Sequence, residues 1–269
     1  MRRPENEGFP NSQLVRHYPS AYGLNSHRPK VDDLTDKYIK FVGSAITPPE
    51  TVDEVVKLAK KKGYGNKPSK KKPFYILGPD EKSFALISPG KKPIEQGIRV
   101  VASHTDSPCL VIRQRPLDFE WDPDEKELQP GVLFTTHIYG GIHNYQWHGK
   151  QLSLRLFTIK NRKRIKQVRD AYINGPSAHL SRGEVEEGND PEILRVFAGH
   201  KSRREALKDL GFKYEEDFFR SAGYVVPNSE PMRIKKDFII AYGHDDRAGT
   251  FAAVDAILGA RKNYTSAVI

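Results

Sequence analysis

The chain has 269 residues, 37% of them hydrophobic, and 44 Lys and Arg against 34 Asp and Glu give a formal charge of +10. That length buries a sizeable core in one large domain or two ordinary ones, while the single cysteine, Cys109, excludes an internal disulfide and suits a reducing compartment. No window approaches the roughly 18 apolar residues of a membrane-spanning helix, and the opening stretch MRRPENEGFPNSQLVRHYPS has no apolar run behind its arginines, so a cytoplasmic protein without an anchor is expected.

Residues 1–30 are polar and rich in Pro, Asn and Gly, which predicts a mobile arm. Leu34, Tyr38 and Phe41 then fall at helical spacing. A second helix is predicted over TVDEVVKLAKKKG, residues 51–63. Thr51 and Glu54 would form its capping box, Val52, Val55, Val56 and Ala59 its apolar stripe, and Gly63 its end. The lysines that follow, Lys67, Lys70, Lys71 and Lys72, read as a loop. PFYIL and SFALIS, joined by GPDEK, predict a hairpin. GIRVVASH predicts a third strand, apolar enough to be buried on both faces.

From about residue 108 to 240 the texture changes to short strand-like pieces and charged turns, including GVLFTTHIYG and QLSLRLFTI. This predicts an inserted β-rich domain, with a short helical pattern near 202–217. DFIIAYG returns to a buried strand, and AGTFAAVDAILGARK predicts a helix with Phe251, Val254 and Leu258 on one face. The expected organisation is an arm over 1–30, an α/β domain from 31–107 and 241–269, and the inserted domain over 108–240. Its fold class is a central mixed sheet with flanking helices. The basic runs at 60–72 and 160–166 lack aromatics at base-stacking spacing, so they read as solvated surface, not a specific nucleic-acid site.

Two stretches carry candidate chemistry. In VVASHTDSPCL, His104 and Asp106 are two apart, so an extended chain projects them to one side. A neutral imidazole suits zinc, and a neighbouring carboxylate can orient it. The alternative is a strand-end pair bonded to each other or to turn amides. Pro108 would end that strand. In AYGHDDRAGT, Asp245 and Asp246 open a helix, where capping is the simpler role. A carboxylate there can also bridge two divalent ions about 3.5–4 Å apart. His137, His143 and His148 are ligands by residue type, but their spacing matches no common zinc pattern. His179 stands alone among small residues and reads by itself as structural. There is no nucleophile elbow, P-loop, Gly-x-Gly-x-x-Gly or Cys-x-x-Cys.

SHTDSPCL, THIYGGIHNYQW, PSAHL and AYGHDDRAGTFAAVDAIL, in that order, resemble successive signature blocks of the M18 metalloaminopeptidases, in their bacterial-type form. The resemblance spans about residues 35–269. It implies a zinc-peptidase-like α/β fold with a β-rich dimerisation insert, assembly into dodecamers, and removal of N-terminal residues from peptides using two divalent metals, usually zinc. It implies His104 as a metal ligand, Asp106 as its orienting partner, Asp245 as the bridging carboxylate, and His179 as a residue reaching into a neighbouring subunit's active site. The family's Glu-Glu pair, further Asp and C-terminal His have no counterpart before the chain ends at NYTSAVI. The expectation is therefore a chain inactive alone: a fragment, a truncated product, or a non-catalytic assembly or regulatory subunit.

Overall fold

The computed structural model describes residues 28–119, 131–143, 146–161, 163–173, 194–235, 238–259 and 263–269. In chain order come helices α1 (Arg28–Ser44) and α2 (Pro48–Lys61), strands β1 (Phe74–Leu77), β2 (Phe84–Ser88) and β3 (Ile98–Val101), then β4 (Cys109–Phe119), β5 (Val132–Tyr139), β6 (Leu152–Lys160), β7 (Lys163–Ala171) and β8 (Arg195–Phe197). Helix α3 (Arg203–Asp209), β9 (Ser221–Pro227), the short β10 (Met232–Ile234) and β11 (Phe238–Ile240), α4 (His244–Leu258) and β12 (Thr265–Val268) complete it.

Among the described residues two larger sheets divide the molecule, beside the two-stranded β10–β11 ribbon. The first has the order β1-β2-β12-β3 and is mixed: β12 runs antiparallel to β2 and parallel to β3. Its core joins Phe41 of α1, Val52 and Val55 of α2, and Phe251 and Val254 of α4 to Leu86 and Val268 of the strands. The second sheet, β7-β6-β9-β4-β5-β8, pairs antiparallel throughout. Its core is separate and is built on Leu110, Phe134, Leu154, Leu156, Val196 and Val225. The fold is therefore mixed α/β with a β-rich second unit.

Helix α2 starts four residues earlier than the pattern suggests. Its N-cap is Thr47, with Pro48 at the first helical position, where a missing amide costs nothing. Glu50, not Glu54, reaches back: one carboxylate oxygen accepts from Thr47 N at 3.1 Å and Thr47 Oγ1 at 2.8 Å. Two Thr-x-x-Glu repeats follow one another here, at 47–50 and 51–54, and the upstream one wins because the buried Glu50 also has cationic partners. Its other oxygen accepts from Arg155 Nη1 of β6 at 2.6 Å and Lys166 Nζ of β7 at 2.8 Å. The basic run at 160–166 is thus partly a clamp. Arg164 also pairs with Asp53 of α2, and its side chain is 16% exposed.

Three further expectations are corrected. Helix α1 already begins at Arg28. Strand β3 is not buried on both faces: Ile98, Val100 and Val101 are 47%, 51% and 52% exposed, because β3 is the edge of its sheet among the described residues. β11 is not a buried strand either. Among the described residues it pairs only with β10, and Phe238 and Ile240 lie exposed. An apolar run shows that a strand wants cover but not whether cover is present.

Candidate metal centre

Strand β3 ends at Val101, but its hydrogen bonding continues along β12. Ile269 N donates to Val101 O at 3.0 Å, and Ser103 N donates to Ile269 O at 3.1 Å. His104 and Asp106 therefore sit in a loop just past the ladder, not on the strand, and Pro108 precedes β4 instead of ending β3. Helix α4 holds that loop. Thr250 Oγ1 donates to His104 O at 3.0 Å and lies 3.0 Å from Ser103 Oγ.

Across the loop stands the start of α4. The residue just before it, Gly243, has φ +85°, and a Cβ there would lie 1.2 Å from Arg247 Nη2. Glycine is required by both conformation and space. Arg247 is fully buried; it donates from Nη1 to Ile46 O at 2.6 Å and from Nη2 to Tyr242 O at 3.0 Å. It stitches the α4 entry to the α1–α2 turn. Asp245 (φ −90°, ψ 112°) and Asp246 (φ −114°, ψ 32°) are non-helical, so the regular helix begins at Arg247.

This separates the two aspartates. Asp246 Oδ1 accepts from Gly249 N at 3.2 Å, three residues on, which is the N-cap geometry. A Cβ at position 249 would meet that carboxylate at 2.4 Å, so Gly249 makes its room. The Asp245 side chain is 89% exposed and lies on the His104 side, with Oδ1 3.1 Å from His104 Nε2. Its carbonyl accepts from Ser107 Oγ at 2.6 Å.

The opposite ring nitrogen, His104 Nδ1, is 3.1 Å from Asp106 O and 3.3 Å from Asp106 Oδ1. Both are acceptors, and so is Asp245 Oδ1 at Nε2, so the doubly protonated ring satisfies every contact; in the neutral ring a proton on Nδ1 meets two acceptors and leaves Nε2 a lone pair for a cation. Asp106 is anchored in turn: Tyr139 of β5 donates from its hydroxyl to Asp106 Oδ2 at 2.7 Å. Burial opposes a charge on His104, but the negative Asp106, Asp246 and Asp245 outweigh it and raise the imidazole above its ordinary range. Burial also pushes the Asp106 carboxyl up, yet the Tyr139 hydroxyl, its own backbone amide and His104 together hold it below the usual value.

The structure thus brings His104, Asp106 and Asp245 together, while His179 lies outside the described residues. Zinc fits this donor chemistry. In the neutral ring with Nδ1 protonated, Nε2 and the Asp245 carboxylate oxygen are two acceptors 3.1 Å apart, which a shared proton or a cation reconciles. Two donors are fewer than the three protein ligands of a catalytic zinc site. Among the described residues no group of three or more His, Cys, Asp or Glu side chains is arranged to hold a metal, so His137, His143 and His148 form none. His244 is also excluded: its Nδ1 lies 2.5 Å from Tyr38 Oη and its Nε2 3.2 Å from Ile239 O. Sequence reasoning missed Tyr139, Ser107, Thr250 and Arg247. All four lie inside the blocks SHTDSPCL, THIYGGIHNYQW and AYGHDDRAGTFAAVDAIL, but residue type and spacing there carried no sign of these contacts.

Residues 41–179 match the M18 family, described as aminopeptidase I zinc metalloprotease. A probable M18 family aminopeptidase 1 of Borreliella afzelii is 30% identical over 85% of this chain and 55% of its own length. The crystal structure of an M18 family aminopeptidase from Thermotoga maritima superposes with a TM-score of 0.75 at 25% identity, covering 90% of this chain and 58% of that one. The S. cerevisiae mApe1 dodecamer has a TM-score of 0.64 at 16% identity over 89% of this chain and 60% of that one. The chain therefore spans little more than half the length of these relatives. With a family match over residues 41–179 and the fold of an M18 aminopeptidase, the chain belongs to the M18 family of metallopeptidases.

Proposed function

We propose that this chain carries part of the metal centre of an M18 aminopeptidase that removes N-terminal residues from peptides with two divalent ions, most simply zinc. The carrying observation is the acceptor pair His104 Nε2 and Asp245 Oδ1, with Nδ1 committed to Asp106. In this reading His104 and Asp245 are ligands, Asp245 bridges, and Asp106 fixes the imidazole. When bound, a divalent ion polarises a carbonyl and acidifies water. His179 would act across a subunit boundary. The inserted unit over 108–240 would make a homo-oligomer, the state named for the yeast relative. The α/β unit of 31–107 and 241–269 would hold the site.

The donor count also favours a second reading, a non-catalytic assembly or regulatory subunit, because among the described residues nothing supplies a third ligand. The 269-residue chain with zinc or cobalt should give no turnover of an aminoacyl chromogenic substrate. Turnover abolished by His104→Ala would show competence after all. Joined to the C-terminal part of a curated relative, the protein should bind two ions and turn over. There His104→Ala and Asp245→Asn should each lose metal and nearly all activity. Asp106→Asn should keep metal and slow the rate by about 10–100-fold. His179→Ala should slow only the assembled oligomer. Full metal content and rate in Asp245→Asn would remove the bridging role.

A further inference from the structure

We infer that Tyr139, a residue of the second sheet, is a positioning residue that sets the orientation and tautomer of His104 through Asp106. The inference rests on His104 being the metal ligand of the proposed function. The chain of contacts is continuous: Tyr139 Oη donates to Asp106 Oδ2 at 2.7 Å, Asp106 Oδ1 and O lie 3.3 and 3.1 Å from His104 Nδ1, and His104 Nε2 faces Asp245 Oδ1.

The fold builds this contact deliberately. Register places Tyr139 opposite Cys109, three residues beyond Asp106, where β4 and β5 begin their ladder. Gly140 follows with φ +74°, and a Cβ there would press on Pro108 at 3.2 Å. The end of β5 is thereby laid against the HTDSP loop, closer than a side chain at 140 would permit. A carboxylate in a half-exposed loop can rotate. With Oδ2 held by a phenol, Oδ1 stays turned to the imidazole. Tyr139 belongs to the sheet that the proposed function assigns to assembly, so the placement of that sheet and the readiness of the ligand are linked through one hydroxyl.

The test uses the whole chain, free of metal, with 15N-labelled histidine. Long-range 1H–15N spectra above the imidazole's titration report the tautomer, and His104→Ala identifies its signals among the nine histidines. The wild type should show protonated Nδ1 and bare Nε2. Tyr139→Phe, which removes only the hydroxyl, should move both His104 nitrogens toward the averaged shifts of exchanging tautomers while His244 stays fixed as an internal control. Asp106→Asn should change the His104 spectrum in either case, which confirms that the measurement is sensitive. A His104 spectrum unchanged in Tyr139→Phe overturns the inference. So does a change shared equally by His244, which would report loosened structure. Zinc dialysis of His104→Ala tests the ligand reading separately, since unaltered binding there removes the metal role without touching the tautomer result.

Discussion

At the scale of single residues, His104 is the most informative group. Three aspartates, Asp106, Asp246 and Asp245, raise its basicity against the pull of burial. A folded-state value above that of the unfolded chain means folding binds the proton more tightly. This contribution is fully present below the ordinary imidazole value of about 6.5 and is lost as pH rises through the folded value. NMR titration should place the His104 midpoint above the ordinary one. Asp106→Asn should lower it more than Asp245→Asn, because the Asp106 charge acts on the ring more strongly than the Asp245 charge, while the backbone contact at residue 106 survives in both variants. A wild-type midpoint at or below the ordinary value, or a larger drop with Asp245→Asn, would contradict that order of causes. The same residues show what was legible. Residue type and position after an apolar strand were enough to mark His104, Asp106 and the adjacent pair Asp245 and Asp246 as candidates. Which of two adjacent aspartates faces the imidazole was not readable, since it depends on Gly249 making space for Asp246. Nor was Tyr139 readable, because its contact crosses 33 residues and needs the β4–β5 register.

At the scale of elements, Glu50 of α2 ties the first unit to the second sheet through Arg155 and Lys166. The Glu50 and Arg155 side chains are 5% and 10% exposed, so this is a buried pair. Removing one partner of such a pair leaves an uncompensated charge and typically costs about 3–5 kcal/mol. Glu50→Ala also strips the cap from Thr47. Asp53→Ala removes an ion pair whose carboxylate is 59% exposed, and such pairs contribute about 0–1 kcal/mol. Urea unfolding should therefore show a large drop in midpoint for Glu50→Ala and little for Asp53→Ala. Equal midpoints for the two would mean that Glu50 is solvated and the sheets are held by other contacts. The element-level reading succeeded for α2 and α4, whose apolar stripes are buried, and in part for α1, where Phe41 is buried but Leu34 is 46% exposed. It misjudged the basic run at 160–166 for a physical reason. Charge patterning reports which side chains need solvent or a counter-charge but not which they find. Here the counter-charges lie more than a hundred residues upstream on α2.

At the scale of the whole molecule, the uncovered β3 edge dominates. Ile98, Val100 and Val101 are about half exposed, and β3 pairs only with β12 among the described residues. A strand with apolar side chains and a row of unpaired amides and carbonyls is a template for another strand. It also leads directly to His104, so whatever lies along it reaches the candidate metal centre. In this chain alone, that edge should drive association that grows with concentration and has no closed end point, unlike a symmetric dimer of the inserted unit. Lysine on an edge strand suppresses such pairing, because bringing a second strand alongside would bury its charge. Val100→Lys should therefore remove the concentration-dependent, fast-sedimenting material in sedimentation velocity while leaving any discrete oligomer in place. A wild type that sediments as one species at every concentration would show the edge to be inert. Loss of the discrete oligomer in Val100→Lys would instead assign β3, not the inserted unit, to assembly.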